Sequence, residues 1–273
     1  LTITGASIFT TRVGGSNIVL DSSANAFAAA VTMKADTGGD ETFGNITFVD
    51  SAAVKLHSSA GTNGDLFIDA GTDLAVGGNL SITATTGNIT QGSEVAVGGT
   101  TTLVTSANDA TITLNDADNA FTGALTITTN DNSGTDAAVI IDGGTTALII
   151  AASTIDGNLT LTSGATAGIT DSGTVTVGGN LAATTDANNG AINLGTLAVD
   201  GTVALATHGN GAATVVNDAG MNFAASTVGG ALSATATTGN MTDSGNLAIT
   251  GTSSFTTSAN NATIILNNTN ALA

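Results

Sequence analysis

Residues 76–121 read VGGNLSITATTGNITQGSEVAVGGTTTLVTSANDATITLNDADNAF, and residues 228–273 read VGGALSATATTGNMTDSGNLAITGTSSFTTSANNATIILNNTNALA. Laid one on the other without a gap, at an offset of 152 residues, they agree at 24 of 46 positions. A third copy opens the chain: LTITGASIFTTRVGGSNIVLDSSANAF (1–27) aligns with 95–121, placing Phe27 on Phe121 and Leu20 on Leu114. The chain therefore starts and stops in the same phase of one repeat. Self-similarity of this kind constrains fold more firmly than residue propensity does.

Inside the copies the apolar residues alternate: Leu80, Ile82 and Ala84; Ile112 and Leu114; Leu125 and Ile127; Leu159 and Leu161. Period two is the pattern of a strand with one buried face. Thr and Val suit pleated surfaces, and the long polar helix formers are nearly missing. A finer signature precedes many of these strands, a β-branched or aromatic residue, any residue, then Gly. It recurs from Val76, Val97, Phe121, Ile155, Val177, Val199, Val228 and Ile249, at spacings of 21, 24, 34, 22, 22, 29 and 21 residues. Two or three short strands per 20–30 residues describe a solenoid. A sandwich would instead need two-residue hairpin turns and would not keep a common spacing.

The expected fold is all-β, a parallel β-helix (β-solenoid) forming one elongated domain over residues 1–273. At roughly 20–24 residues per coil the chain makes about 12 coils, a rod about 60 Å long, wound right-handed by the general preference of parallel crossovers. The 34-residue spacing, which holds NDNSGTD (130–136) and IDGG from Ile141, reads as an extra or enlarged coil with a protruding loop.

Composition fits this mechanics. Proline is absent where average usage would supply roughly 5%, and a proline would remove a ladder bond at nearly any position of a stacked coil. Gly and Asn are expected at corners that need left-handed backbone. Phe9, Phe27, Phe121 and Phe255 read as stacked core. With no Cys, disulfide scaffolds, zinc fingers and thiol enzymes are excluded, and no apolar run is long enough for a membrane-spanning helix. Three Lys and Arg stand against 21 Asp and Glu, a net charge of -18, and residues 56–273 contain neither base, so nucleic acid is not an expected partner.

Runs such as GNITQGSEVAVGGTTTLVTSANDATITLNDADNAFTGALTIT and GITDSGTVTVGGNLAATT resemble the repeats of filamentous haemagglutinin-like bacterial exoproteins, secreted adhesins built on β-helices. The resemblance covers the whole chain. It implies an extracellular or cell-surface location and an adhesive or structural role, with no catalytic residues to carry over. The chain shows neither that family's amino-terminal secretion domain nor a signal peptide, since Leu1 opens inside a repeat; a processed product or a piece of a longer array is the expectation.

Candidate chemistry is sparse. His57 and His208 sit in unrelated contexts and read as exposed turn or strand residues. No G-x-S-x-G elbow accompanies the serines. A polysaccharide-cleaving β-helix would need paired carboxylates or a base, for which only Arg12, Lys34 and Lys55 offer themselves, and Trp and Tyr are absent. The expectation is no enzyme and no cofactor. Asp116 and Asp118 in LNDADNAF have the spacing of the first ligands of a calcium loop, but the equivalents are Ser22 and Ala24, and Asn268 and Asn270, and the EF-hand glycine is missing. Turn capping is the competing reading. The N-x-S/T matches at Asn45, Asn79, Asn88, Asn158, Asn240 and Asn261 read as chance in so Asn- and Thr-rich a chain.

Three functions follow. The first is a stiff stalk or filament subunit that stacks head-to-tail, or continues a longer array, through uncapped ends at Leu1, Ile3, Phe9, Ile264, Leu266 and Leu272. The second is an adhesin contacting cell-surface glycans, another surface or ice through a flat face of Thr ranks such as TATT (83–86) and TTTLVT (100–105). The third is a glycan-acting enzyme with a carboxylate cleft.

Overall fold

The computed structural model describes residues 1–13, 15–29, 31–35, 44–57, 65–68, 74–130 and 137–273. Among them there are strands and turns but no helix, and the strands stack in parallel on their counterparts one coil away. The molecule is a β-solenoid. One long face holds eleven consecutive rungs, from Ile18–Leu20 to Ser253–Thr257; a second runs from Ser7–Thr10 to Ile264–Ile265; a short third face joins Leu74–Val76, Val95–Val97 and Ala120–Phe121.

The period-two pattern becomes columns. On the first face Phe48, Ile82, Leu103 and Ile127 stack inward in register. On the second, Val54, Ile89, Ile112, Val139, Leu159, Leu181 and Val203 form one column, each no more than 1% exposed. Each such side chain contributes about 1.5–3 kcal/mol by burial. Phe27 and Phe121 are core, while Phe9 packs edge-on against Phe27 at 6.3 Å, and Phe255 against Phe223 at 6.2 Å.

About eleven turns, about 50 Å at the usual strand spacing, is close to the roughly 12 expected from chain length and coil spacing. Stacked residues lie 19 to 25 apart over most of the rod (Ala213 on Leu232, Leu125 on Ile150), but Ile18 stacks on Ile46 and Ile46 on Leu80, 28 and 34 residues on. The widest coil carries an additional strand, Asp65–Ile68, wedged between Val31–Lys34 and Val54–His57.

The uneven signature spacings have a structural reason. From Val76 to Phe121 the signature precedes strands of the first face; from Ile155 to Val199 it precedes strands of the second; from Val228 it precedes the first face again. The spacing of 34 combines a change of corner with an enlarged coil, in which Ile112 stacks on Val139, 27 residues on, and the spacing of 29 is one coil plus a change of corner; of the extra or enlarged coil expected from sequence, the enlarged one is found among the described residues. Most of NDNSGTD lies outside the described residues.

Corner glycines are small for their neighbours more than for their own backbone, which corrects the expectation of left-handed corners. Among the described residues only Gly15, Gly144, Gly168 and Gly209, with Asp109, Asn189 and Asn261, have positive φ. Gly78, Gly99 and Gly123 instead stack corner on corner: a Cβ on Gly78 would stand 2.5 Å from the Gly44 carbonyl oxygen, and one on Gly99 would stand 2.7 Å from the carbonyl of Gly78. Asparagine locks the same corner. The side-chain oxygen of Asn17 accepts the N–H of Asn45, that of Asn45 the N–H of Asn79, and that of Asn79 the N–H of Thr100, each at 2.8 Å. Asn158 and Asn180 continue the device toward Thr202, and Asn88 and Asn240 hold Thr111 and Thr263. Five of the six N-x-S/T matches are therefore ladder asparagines at the entrance to a strand.

Candidate functional site

The repeat sets the geometry of the two ends. Leu1, Ile264 and Leu272 are 57%, 43% and 44% exposed, and Ile3, Phe9 and Leu266 are half-buried against the core. Their counterparts inside the rod, Val95, Ile112, Leu114 and Phe121, are fully covered. Ile8 and Ile265, which the sequence reading passed over, are exposed because they alternate with the inward Phe9 and Ile264; the alternation itself was the signal.

The corner before these termini is built three times over. Asn25, Asn119 and Asn270 accept, through their side-chain oxygens, the amino group of Leu1 and the N–H groups of Val95 and Leu247, at 2.9, 2.8 and 2.7 Å. Asn25 and Asn119 are buried, as is Asn217, which holds Val199 in the same manner. The last copy departs from the gapless alignment. Ala271 and Leu272 pair with Ala248 and Ile249 as Ala120 and Phe121 pair with Ala96 and Val97, so its final turn is one residue shorter, and Leu272, not Ala273, takes the place of Phe121. Position 91 of the inner copy is Gln and its counterpart is Asp243. Gln91 exchanges hydrogen bonds with Asn119 at 2.9 and 3.0 Å; Asp243 accepts from the backbones of Asn267 and Asn268 and from the Asn270 amide at 2.7 Å. Burial pulls the Asp243 carboxyl upward, but these donors outweigh it and hold it below its usual value.

Asp116 and Asp118 occupy a turn in which Asp116 accepts the Asp118 N–H at 3.0 Å, the capping geometry. Among the described residues no three His, Cys, Asp or Glu side chains gather closely enough to hold an ion together. Asp142 lies nearby; burial raises its carboxyl above the usual range, against the Gly144 N–H that lowers it, with the charges of Asp186 and Asp116 adding to the rise. His208 ends a strand and is exposed; the side chains of His57, Lys34 and Lys55 lie outside the described residues. A groove of about 300 Å³ near Asp200, Asn222, Asn240 and Thr242 offers one carboxylate and no acid–base pair.

Three sets of hydroxyls stand out. At corners they are engaged: Thr196 with Asp171, Thr237 and Thr238 with the Asp218 carbonyl, Thr86 with the Ser51 carbonyl. Ser7, Thr101 and Ser253, the same position in three copies, each bury a hydroxyl that has no partner. On the outside of the first face Thr47, Ser81, Thr102 and Thr126 stand in one column, and Val49, Thr83, Val104, Thr128, Thr154 and Thr176 in the next.

A family described as repeats of unknown function (DUF5649) matches residues 1–34, 43–128 and 210–273. The chain belongs to this family. The DUF5649 matches cover about two thirds of it, and they bracket the change of corner: residues 129–209, left between the last two matches, are where the signature precedes the second face. No curated protein and no solved structure matches the chain.

Proposed function

We propose that this chain is a stiff, non-catalytic β-solenoid unit of an extracellular stalk or filament, extended at its ends by further coils of the same pattern from a continuing chain or from another copy. The carrying observation is the stack itself: strands of neighbouring coils pair in parallel and seal the inward columns between them, so a coil is covered by coils of its own pattern, and a strand edge is a template for further pairing. The bridging asparagine recurs in all three copies, as Asn25, Asn119 and Asn270, so one corner device serves along the rod. The bacterial, cell-surface placement is supported by the resemblance to haemagglutinin-like repeats. No cofactor or bound metal enters this reading.

Electron microscopy and sedimentation across a concentration series, with and without calcium, test it. Head-to-tail fibres of uniform width with an axial repeat near the rod length are the expected result. Monodisperse short rods at every concentration would overturn stacking between copies and leave only continuation within one longer chain.

A further inference from the structure

The two outward columns of the first face have three properties in common. Their hydroxyls make no hydrogen bond to any described protein group. They carry no charge from rung Ile46–Asp50 to rung Leu125–Thr128, in a chain of net charge -18, and no aromatic side chain on which a sugar ring would stack. They are also periodic: in-register rungs repeat about every 4.8 Å along the rod, and residues i and i+2 of a strand lie about 6.7 Å apart.

A partner that seals this face dry is disfavoured, because each unpaired hydroxyl taken from water costs free energy unless a hydrogen bond replaces the one lost. An occupant made of water itself incurs no such cost. With O–H···O bonds of about 2.75 Å and tetrahedral coordination, second-neighbour oxygens of a hydrogen-bonded water lattice sit about 4.5 Å apart and its layers repeat at about 7.3 Å. Both spacings lie within about a tenth of those of the hydroxyl and methyl grid. Thr and Val are stiff at χ1, so little side-chain freedom remains to be lost on contact.

We infer that the outward Thr, Ser and Val columns of the first face, centred on Thr83, Thr102, Thr126 and Thr128, form an ice-binding surface. This goes beyond the rod reading and does not depend on it: fibre formation tests the ends, and ice binding tests the side.

The experiment is slow freezing of the intact chain in excess water, measuring its enrichment in the ice fraction and the faceting of single ice crystals. Enrichment over an inert protein of similar size is expected. Thr128→Lys and Thr83→Lys should lower it about tenfold, a change of about 1.4 kcal/mol in affinity, whereas Thr113→Lys and Thr160→Lys on the second face should leave it intact. Circular dichroism and thermal melting check that each variant folds; Thr126→Val, which keeps the shape and removes the hydroxyl, serves if a Lys variant does not. Exclusion of the wild-type chain from ice would overturn the inference. So would equal losses on both faces, or retention on insoluble polysaccharide without enrichment in ice.

Discussion

Copies 76–121 and 228–273 share more than half of their residues, yet their surroundings differ. Ile112 and Leu114 lie in a sealed column, while their counterparts Ile264 and Leu266 are exposed and half-exposed on the last rung. The strands are alike; the neighbours are not. Alternation decides which side chains point inward, but each rung is covered from both sides by other coils, so the energy of an inward residue belongs to the stack.

Truncation should expose that difference most strongly. Phe121→Ala in the sealed copy should lower stability by about 3–5 kcal/mol, whereas Leu272→Ala at the equivalent terminal position should cost less than about 1 kcal/mol; urea unfolding midpoints of the two variants make the measurement. If stacking between copies covers Leu272, its cost will rise with protein concentration. Next in size is the corner amide. Asn119→Ala strands the Val95 N–H in a buried site and should cost about 2–3 kcal/mol, against about 1 kcal/mol for Asn270→Ala at the less buried end, read from the same unfolding curves.

The buried hydroxyl sharpens the comparison with the opposite sign. Thr101→Val replaces an unpartnered polar group by an isosteric methyl and should raise stability by about 1 kcal/mol. Ser253→Val, on the last rung, should gain less, and paired thermal melts will rank the two.

The smallest effects concern acids. Burial holds the Asp50 carboxyl above its usual range, only partly opposed by the N–H groups of Phe27, Ser51 and Ala52. The folded state then binds a proton more tightly than the unfolded chain, so this group stabilises most below the ordinary aspartate pKa, and that contribution is lost as pH rises through the raised value. Asp50→Asn should therefore gain stability relative to wild type at neutral pH and lose the advantage in acid. Asp243, held low by its amide donors, behaves in reverse: its contribution is present at neutral pH and disappears as pH falls through the lowered value, so Asp243→Asn should be destabilising at pH 7 and neutral in strong acid. Melting curves from pH 2 to 8 test both.

The repeat, the strands and the solenoid were legible because they follow from local alternation and from self-similarity. Leu80, Ile82 and Ala84 state their own inward face. What was hidden depends on register between coils. The wedge of Asp65–Ile68 and the one-residue shortening before Ala271 leave no mark on alternation, so the final alignment was off by one. Nothing in the sequence separates Asn25, Asn119 and Asn217 from ordinary turn asparagines, because a buried bridging amide and an exposed capping amide share one side chain. Gly78 and Gly99 looked conformational for a similar reason: the carbonyl that forbids a Cβ there belongs to another coil. The place of Leu272 and Ile264 on the last rung follows from the phase of the repeat. The charge-free outward columns became visible only once the rungs were in register.

The parallel ladders also decide how the molecule answers a pull. Their hydrogen bonds run along the rod, so tension applied between the termini loads them end-on, a few at a time, and the outermost coil peels before the next is strained. Each coil of about 22 residues releases about 75 Å of extended chain, more than the length of the whole folded rod. A tether made of such units would yield in successive long steps under nearly constant force, taking up mechanical work while its remaining coils stay folded.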